Sequence, residues 1–168
     1  MQRSILQHLW WLRPGDLAGM PMPKISKARR QFGATSLNSC EDDLPVLYEA
    51  GIRSVVSLVK GIADLTTVYE SLGFSHLWLP VADGEAPNLG QVRQFIDFYS
   101  RVSRPCVVHC ESGVGRTGTL LAAMLIHEGL TCKEAISKVR TAQPAAIESS
   151  LQLIFLKNIE AQLTRKMP

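Results

Sequence analysis

Cysteine, aromatic residues, net charge and long apolar runs are all in short supply in this chain, and each shortage removes a class of function. Four cysteines in 168 residues, at positions 40, 106, 110 and 132, have neither the spacing of a secreted disulfide framework nor that of a metal site, so free thiols in a reducing compartment are expected. Cys106 and Cys110 do not form a redox pair either. Four residues of extended strand hold them about 13 Å apart, against a limit of roughly 7 Å between Cα atoms for a disulfide. Cys40 or Cys132 protects an oxidised Cys110 only if the fold brings one of them close. The apolar stretch Ile5 to Leu12 is too short to span a bilayer and lacks the segment order of a secretory signal, so no membrane partner is expected and cytoplasmic residence is. A net charge of +3 is mild. Lys24, Lys27, Arg29 and Arg30 cluster with Phe32 as their lone aromatic neighbour, which suits a solvated loop better than a nucleic-acid surface. With 46% hydrophobic and 20% charged residues, the expectation is one globular domain over residues 1–168 that acts as a monomer and needs no cofactor and no metal.

Strands and helices alternate along the chain. Arg53 to Val59, His76 to Val81 and Pro105 to His109 read as strands. Glu41 to Ala50, Ala63 to Leu72 and Asn88 to Val102 read as helices, the last with Val92, Phe95, Ile96 and Tyr99 on one face. Thr117 to Glu128 is a buried helix stopped by Gly129, and Thr131 with Glu134 forms a capping box for a helix to about Thr141. Beyond Pro144, Glu148 to Leu163 makes the last helix, with Leu151, Ile154, Phe155 and Ile159 as its core side. This alternation implies an α/β domain around a largely parallel sheet flanked by helices.

The ten residues His109 to Gly118, HCESGVGRTG, carry the chemistry. They lie between a strand and a helix and hold a cysteine, an arginine six positions later and three glycines. Loop amides and the free N–H groups at the helix start converge on one point. The helix dipole favours an anion there by about 0.3–1 kcal/mol. Gly113, Gly115 and Gly118 let the backbone curl and approach closely. The embedded GVGRTG also matches the dinucleotide fingerprint GxGxxG. That reading lacks the second strand and acidic residue some twenty positions on, and it leaves Cys110 without a purpose. Cys110 at a helix N-terminus beside a cation is a thiol placed to ionise, and Arg116 offers a planar fork matching two phosphate oxygens. The blander reading, a buried strand-end cysteine and an ordinary helix-start arginine, does not account for the full string.

HCxxGxGRTG resembles the signature loop of the cysteine-dependent protein tyrosine phosphatases, and the chain as a whole resembles the small atypical dual-specificity phosphatases. Trp11 to Met20 is similar to that family's opening strand and turn. Leu79-Pro80-Val81-Ala82-Asp83 is similar to its general-acid loop, and Ala146-Ile147-Glu148-Ser149 with Gln152 to its last helix start. The resemblance implies the tyrosine-phosphatase fold and hydrolysis of phosphate monoesters through a phosphocysteine on Cys110. It further implies Arg116 and the loop residues Glu111, Ser112, Gly113, Val114 and Gly115 around the phosphate, and Thr117 donating to the departing sulfur. His109 would orient the loop, and Gln152 would lie near the attacking water. Asp83 would protonate the leaving oxygen. On the residues alone an ordinary turn aspartate is an equal reading of Asp83, with Glu85 and Asp64 as other acids.

Glu111 is expected to point outward, because an inward carboxylate would raise the Cys110 pKa and repel a dianion. No lysine occupies Glu111, Ser112 or Val114, which disfavours highly phosphorylated inositides. Phosphotyrosine and phosphoserine or phosphothreonine on a protein or peptide are the expected substrates. The alternatives are phosphoinositides, RNA 5′-phosphates and a catalytically weak phosphate-binding module.

Overall fold

The computed structural model of the protein describes residues 4–26, 42–61 and 65–164. Lys27, Arg29, Arg30, Phe32, Cys40, Glu41, Ala63 and Asp64 lie outside the described residues. A short 3₁₀ helix, Ile5–His8, takes up the start of the N-terminal apolar stretch. β1 (Trp10–Arg13) and β2 (Leu17–Met20) then form an antiparallel hairpin with Trp10 opposite Gly19. The turn closes with Gly15 at φ 69° and the Asp16 N–H donating to the Arg13 carbonyl at 3.0 Å. After it come α1 (Leu44–Glu49), β3 (Ser54–Val59), α2 (Thr66–Ser71), β4 (Ser75–Val81) and α3 (Leu89–Arg101). The chain continues through β5 (Cys106–His109), α4 (Gly115–His127), α5 (Cys132–Ala142) and α6 (Ser150–Thr164).

The sheet order is β1-β2-β5-β3-β4, and every pairing except the hairpin is parallel. β3 and β5 are buried along their whole length, since parallel strands covered on both faces read as continuous apolar runs rather than alternating ones. Successive side chains still point to opposite faces. Val56, Cys106 and Val108 join one core with α3, α4, α5 and α6, while Val55 and Val107 join a second core with α1 and α2. α4 is buried on all sides from Gly115 to Ile126. Complete removal of leucines such as Leu120 and Leu121 from water stabilises by roughly 1.5–3 kcal/mol each.

The expected capping box of Thr131 with Glu134 opens α5, and a further one, Asn88 with Gln91, opens α3. Three sequence expectations need correction. α4 begins at Gly115, two residues before Thr117, with the Gly118 N–H donating to the Val114 carbonyl at 3.0 Å, so Arg116 sits in its first turn. Leu151 and Ile154 are not core residues but are 57% and 53% exposed. α6 instead turns Gln152, Leu156 and Ile159 inward, because it packs most extensively on α4 and that neighbour selects the buried face. α1 is shorter than expected and starts at Leu44, behind Asp43.

Candidate active site

β5 is the central strand, and its last residue, His109, lies in register with Met20 of β2 and Ser57 of β3. The loop that follows therefore emerges at the carboxyl edge of the parallel strands and leads to α4 on one face of the sheet, whereas β2 and β3 lead to α1 and α2 on the other, and such a switch point is where open α/β sheets place ligands. Gly113 is the residue this loop cannot replace. Its φ is 77°, and a Cβ there would sit 2.3 Å from the Met20 carbonyl carbon. Trp10 Nε1–H donates to its carbonyl at 3.0 Å, and its own N–H donates to Cys110 Sγ at 3.3 Å. The Met22 N–H donates to the Glu111 carbonyl at 2.9 Å and pins the opposite arm of the loop. Gly115 and Gly118 serve a different approach from the one expected. Added Cβ atoms would meet Glu148 Oε2 at 2.3 Å and Ala146 Cβ at 2.8 Å, so these glycines admit the segment that leads into α6.

Cys110 is 1% exposed. Burial alone would push its thiol up, yet the Thr117 hydroxyl and N–H, the Gly113 N–H and the Arg116 charge together draw it below the ordinary thiol value. Cys106 has none of that help, and burial pushes it up to about 12. Cys132, pushed up by burial and by Glu160, lies beyond the far end of α4, whose 13 residues span about 20 Å. It is out of reach of Cys110.

Arg116 is 3% exposed. Its Nη1 donates to the Val81 carbonyl at 2.9 Å, and its Nη2 lies 3.3 Å from Asp83 Oδ1. Asp83 is thereby brought to the Cys110 loop from the end of β4, its side chain 89% exposed. Glu85, an alternative acid among the described residues, is two residues further along the same turn, and its N–H donates to the Ala82 carbonyl at 3.1 Å. Among the described residues, Arg116 Nε and Thr117 Oγ1 are the buried side-chain polar atoms with no hydrogen-bond partner of ordinary geometry. Both adjoin Cys110. Glu111 and Ser112 are exposed and Val114 is half-buried.

His109 is buried and threaded into a polar network that sequence reading did not find. Its Nδ1 lies 3.1 Å from the Cys110 carbonyl. A carbonyl only accepts, so Nδ1 carries the proton and Nε2 is an acceptor. Ser57 Oγ, 2.7 Å from that Nε2, therefore donates to it, and Tyr69 OH lies 3.2 Å away. Ser57 Oγ in turn accepts from His76 Nε2 at 2.8 Å, which leaves His76 Nδ1 to accept from Thr66 Oγ1 at 2.8 Å. One carbonyl thus fixes the tautomer of two histidines. The Tyr69 ring stacks on His76 at 4.2 Å between centroids.

Burial is the main reason the His109 pKa falls to about 4, with the Arg116 charge acting in the same direction. The unfolded chain, with histidine near 6.5, therefore takes up protons first. Stability is full above pH 6.5 and is lost as pH falls toward 4, by about 3 kcal/mol from this group. Urea titrations across that range are expected to show the decline, and His109→Gln to flatten it. An unchanged slope in the variant would place the titrating group elsewhere.

Gln152 is 1% exposed, not a surface glutamine. Its Oε1 accepts from the Glu148 and Ser149 N–H groups at 2.8 and 3.1 Å, and its Nε2 donates to the Glu85 carbonyl at 3.2 Å. The spacing S-x-x-Q from Ser149 to Gln152 is a capping-box signal, and it marks this pair in the sequence. Ser57, Tyr69 and His76 carried no comparable local signal.

A mostly parallel five-stranded sheet whose central strand ends in a glycine-bearing loop and helix N-terminus that hold Cys110 beside Arg116 is the arrangement of the tyrosine-phosphatase class of α/β domain. Tk-PTP in its active form matches with a TM-score of 0.70 and 26% identity, over 92% of this chain and 97% of that one. Kinase associated phosphatase matches with a TM-score of 0.77 over 99% and 100%, at 19% identity, a likeness of fold alone. The chain belongs to the DSP-PTPase phosphatases: the family model described as "Polymorphic toxin system, DSP-PTPase phosphatase" matches residues 31–130. Dual specificity protein phosphatase CDC14AB of Danio rerio is 33% identical over 140 residues, 82% of this chain and 22% of that protein. CDC14A of Mus musculus is 31% identical over 156 residues, 91% of this chain and 25% of that protein. The chain spans about a quarter of the length of these curated relatives. No described helix is long and apolar enough to cross a membrane.

Proposed function

We propose that residues 1–168 form one catalytic domain that hydrolyses phosphate monoesters on proteins, through two in-line displacements at Cys110. The carrying observation is Arg116 Nε, a buried donor without a hydrogen-bond partner, beside a thiol that Thr117, Gly113 and Arg116 draw toward its anion. Buried donors without partners are rare and call for a ligand. In the first step Cys110 Sγ bonds to phosphorus while the ester oxygen leaves with the proton of Asp83. The Arg116 fork and the amides of Glu111 to Arg116 hold the equatorial oxygens. In the second step water gives a proton to Asp83 and attacks phosphorus. The P–S bond breaks as the Thr117 hydroxyl donates to the returning thiolate, and inorganic phosphate departs. His109 holds the Cys110 carbonyl and so the loop's shape. The chemistry uses no metal or cofactor. A reduced thiol nucleophile supports residence in the cytoplasm.

The relatives' description as dual specificity protein phosphatases supports phosphotyrosine and phosphoserine or phosphothreonine as substrates. The exposed carboxylates of Glu111 and of Glu148, the latter beside Gly115, add negative potential that disfavours polyphosphorylated inositides. Parallel kcat/KM measurements on phosphotyrosyl, phosphoseryl and phosphoinositide substrates test this, and a preference for the inositide overturns it. Hydrolysis of para-nitrophenyl phosphate tests the class. Its absence from folded protein that still binds vanadate favours a phosphate-binding module instead.

Asp83→Asn is expected to lower turnover on phenyl phosphate by about 10²-fold, the lower range for a general acid. The acid works only when it holds its proton, so the alkaline limb of the pH–rate profile should vanish in the variant. A retained alkaline limb would assign the proton to another group.

A further inference from the structure

Asp83 is exposed and lies on a turn, a setting in which a side chain ordinarily swings freely. Its backbone is nonetheless anchored on both sides. Before it, Gln91 Nε2 donates to the Pro80 carbonyl at 2.9 Å and Arg116 Nη1 to the Val81 carbonyl at 2.9 Å. After it, the Ser149 hydroxyl donates to the Gly84 carbonyl at 2.6 Å and Gln152 Nε2 to the Glu85 carbonyl at 3.2 Å. Ser149 and Gln152 are also the capping box of α6. The Gln152 N–H donates to Ser149 Oγ at 3.2 Å, and the Ser149 N–H donates to Gln152 Oε1 at 3.1 Å. The acceptor atoms of the box thus close the helix, while both of its side-chain donors reach the acid loop about 65 residues earlier in the chain.

The segment leading into this box is itself firmly held. Ile147 has φ 64°, the only positive value outside glycine among the described residues, and for a β-branched side chain that conformation is a true outlier. Arg140 fixes it, donating from Nε to the Ala146 carbonyl and from Nη2 to the Ile147 carbonyl, each at 3.0 Å. The close approach of Gly118 to Ala146 does the same from α4.

We infer that Ser149 and Gln152 are positioning residues that hold the Asp83 loop in its proton-donating place through their hydrogen bonds to Gly84 and Glu85. Gln152 thus acts through the acid loop rather than on the attacking water, since both ends of its amide are engaged by protein groups. The inference rests on Asp83 being the general acid.

Two substitutions separate the clamp from the cap. Ser149→Asp keeps a good N-cap acceptor but loses the hydroxyl donor, and Gln152→Glu keeps Oε1 but loses Nε2. The readout is leaving-group dependence in the intact chain. Phenol, with a pKa near 10 like tyrosine, needs the proton, whereas the phenol released from difluoromethylumbelliferyl phosphate leaves readily without it. Each variant is expected to lower kcat on phenyl phosphate about tenfold or more and to change the fluorinated substrate by about twofold or less. A double variant with Asp83→Asn should be no slower than Asp83→Asn alone, and Ser149→Thr, which keeps a hydroxyl, should restore the phenyl phosphate rate. Equal losses on both substrates indicate a purely structural role and overturn the clamp. The leaving-group signature in Asp83→Asn but not in the clamp variants also overturns it and leaves the acid standing. Its absence from Asp83→Asn itself removes the acid assignment and the clamp together.

Discussion

Cys110→Ser is expected to lower turnover of para-nitrophenyl phosphate by about 10⁴-fold or more, about 5 kcal/mol of barrier, while leaving the fold intact. Serine matches cysteine in shape, and the Gly113 N–H that donates to the sulfur can donate to Oγ instead. The environment is what fails to transfer. Thr117, Gly113 and Arg116 bring a thiol within reach of ionisation, but an alcohol starts several units higher, so the same interactions leave it protonated. No other described thiol can replace it: Cys106 is buried in β5 and pushed up to about 12, and Cys132 is beyond the far end of α4. Phosphopeptide binding should tighten, because the variant no longer opposes a dianionic phosphate with a negative sulfur. Turnover within tenfold of the parent would place the nucleophile elsewhere.

Arg116→Lys is expected to lower kcat/KM by about 10³-fold, about 4 kcal/mol. A lysine retains the charge but not the geometry. The guanidinium uses Nη1 on the Val81 carbonyl and places Nη2 beside Asp83, with Nε still available at the loop. One ammonium on a flexible stem cannot serve the phosphate and the acid loop together. The loss should therefore appear in both KM and kcat, and it should be larger for phenyl phosphate than for a substrate with a good leaving group. A loss confined to KM, equal across leaving groups, would show that Arg116 only binds charge.

How far a feature could be read from the sequence depended on how local its cause is. Cys110, the loop glycines and Arg116 fall within nine residues, and strand, loop and helix start each follow from near neighbours. The alternation of apolar segments was equally local and led to the largely parallel α/β sheet. Asp83 was intermediate: its turn was evident, but its approach to Arg116 depends on β4 and β5 flanking β3 in one sheet. Leu151 and Ile154 were misjudged because two apolar residues three positions apart satisfy a helical stripe wherever the helix sits, and packing on α4 chose the other side.

By itself, then, the sequence determined a strand–loop–helix anion site with a thiol and a guanidinium in it, since backbone geometry and residue chemistry act there over a few positions. The tertiary structure alone decided what orients that site. The chain from Thr66 through His76 and Ser57 to His109 joins residues on α2, β4, β3 and β5. The bonds from Ser149 and Gln152 to Gly84 and Glu85 cross more than sixty positions. Hydrogen bonds of this kind need atoms within about 3 Å, a condition that no sequence spacing expresses and only the packed sheet and helices supply.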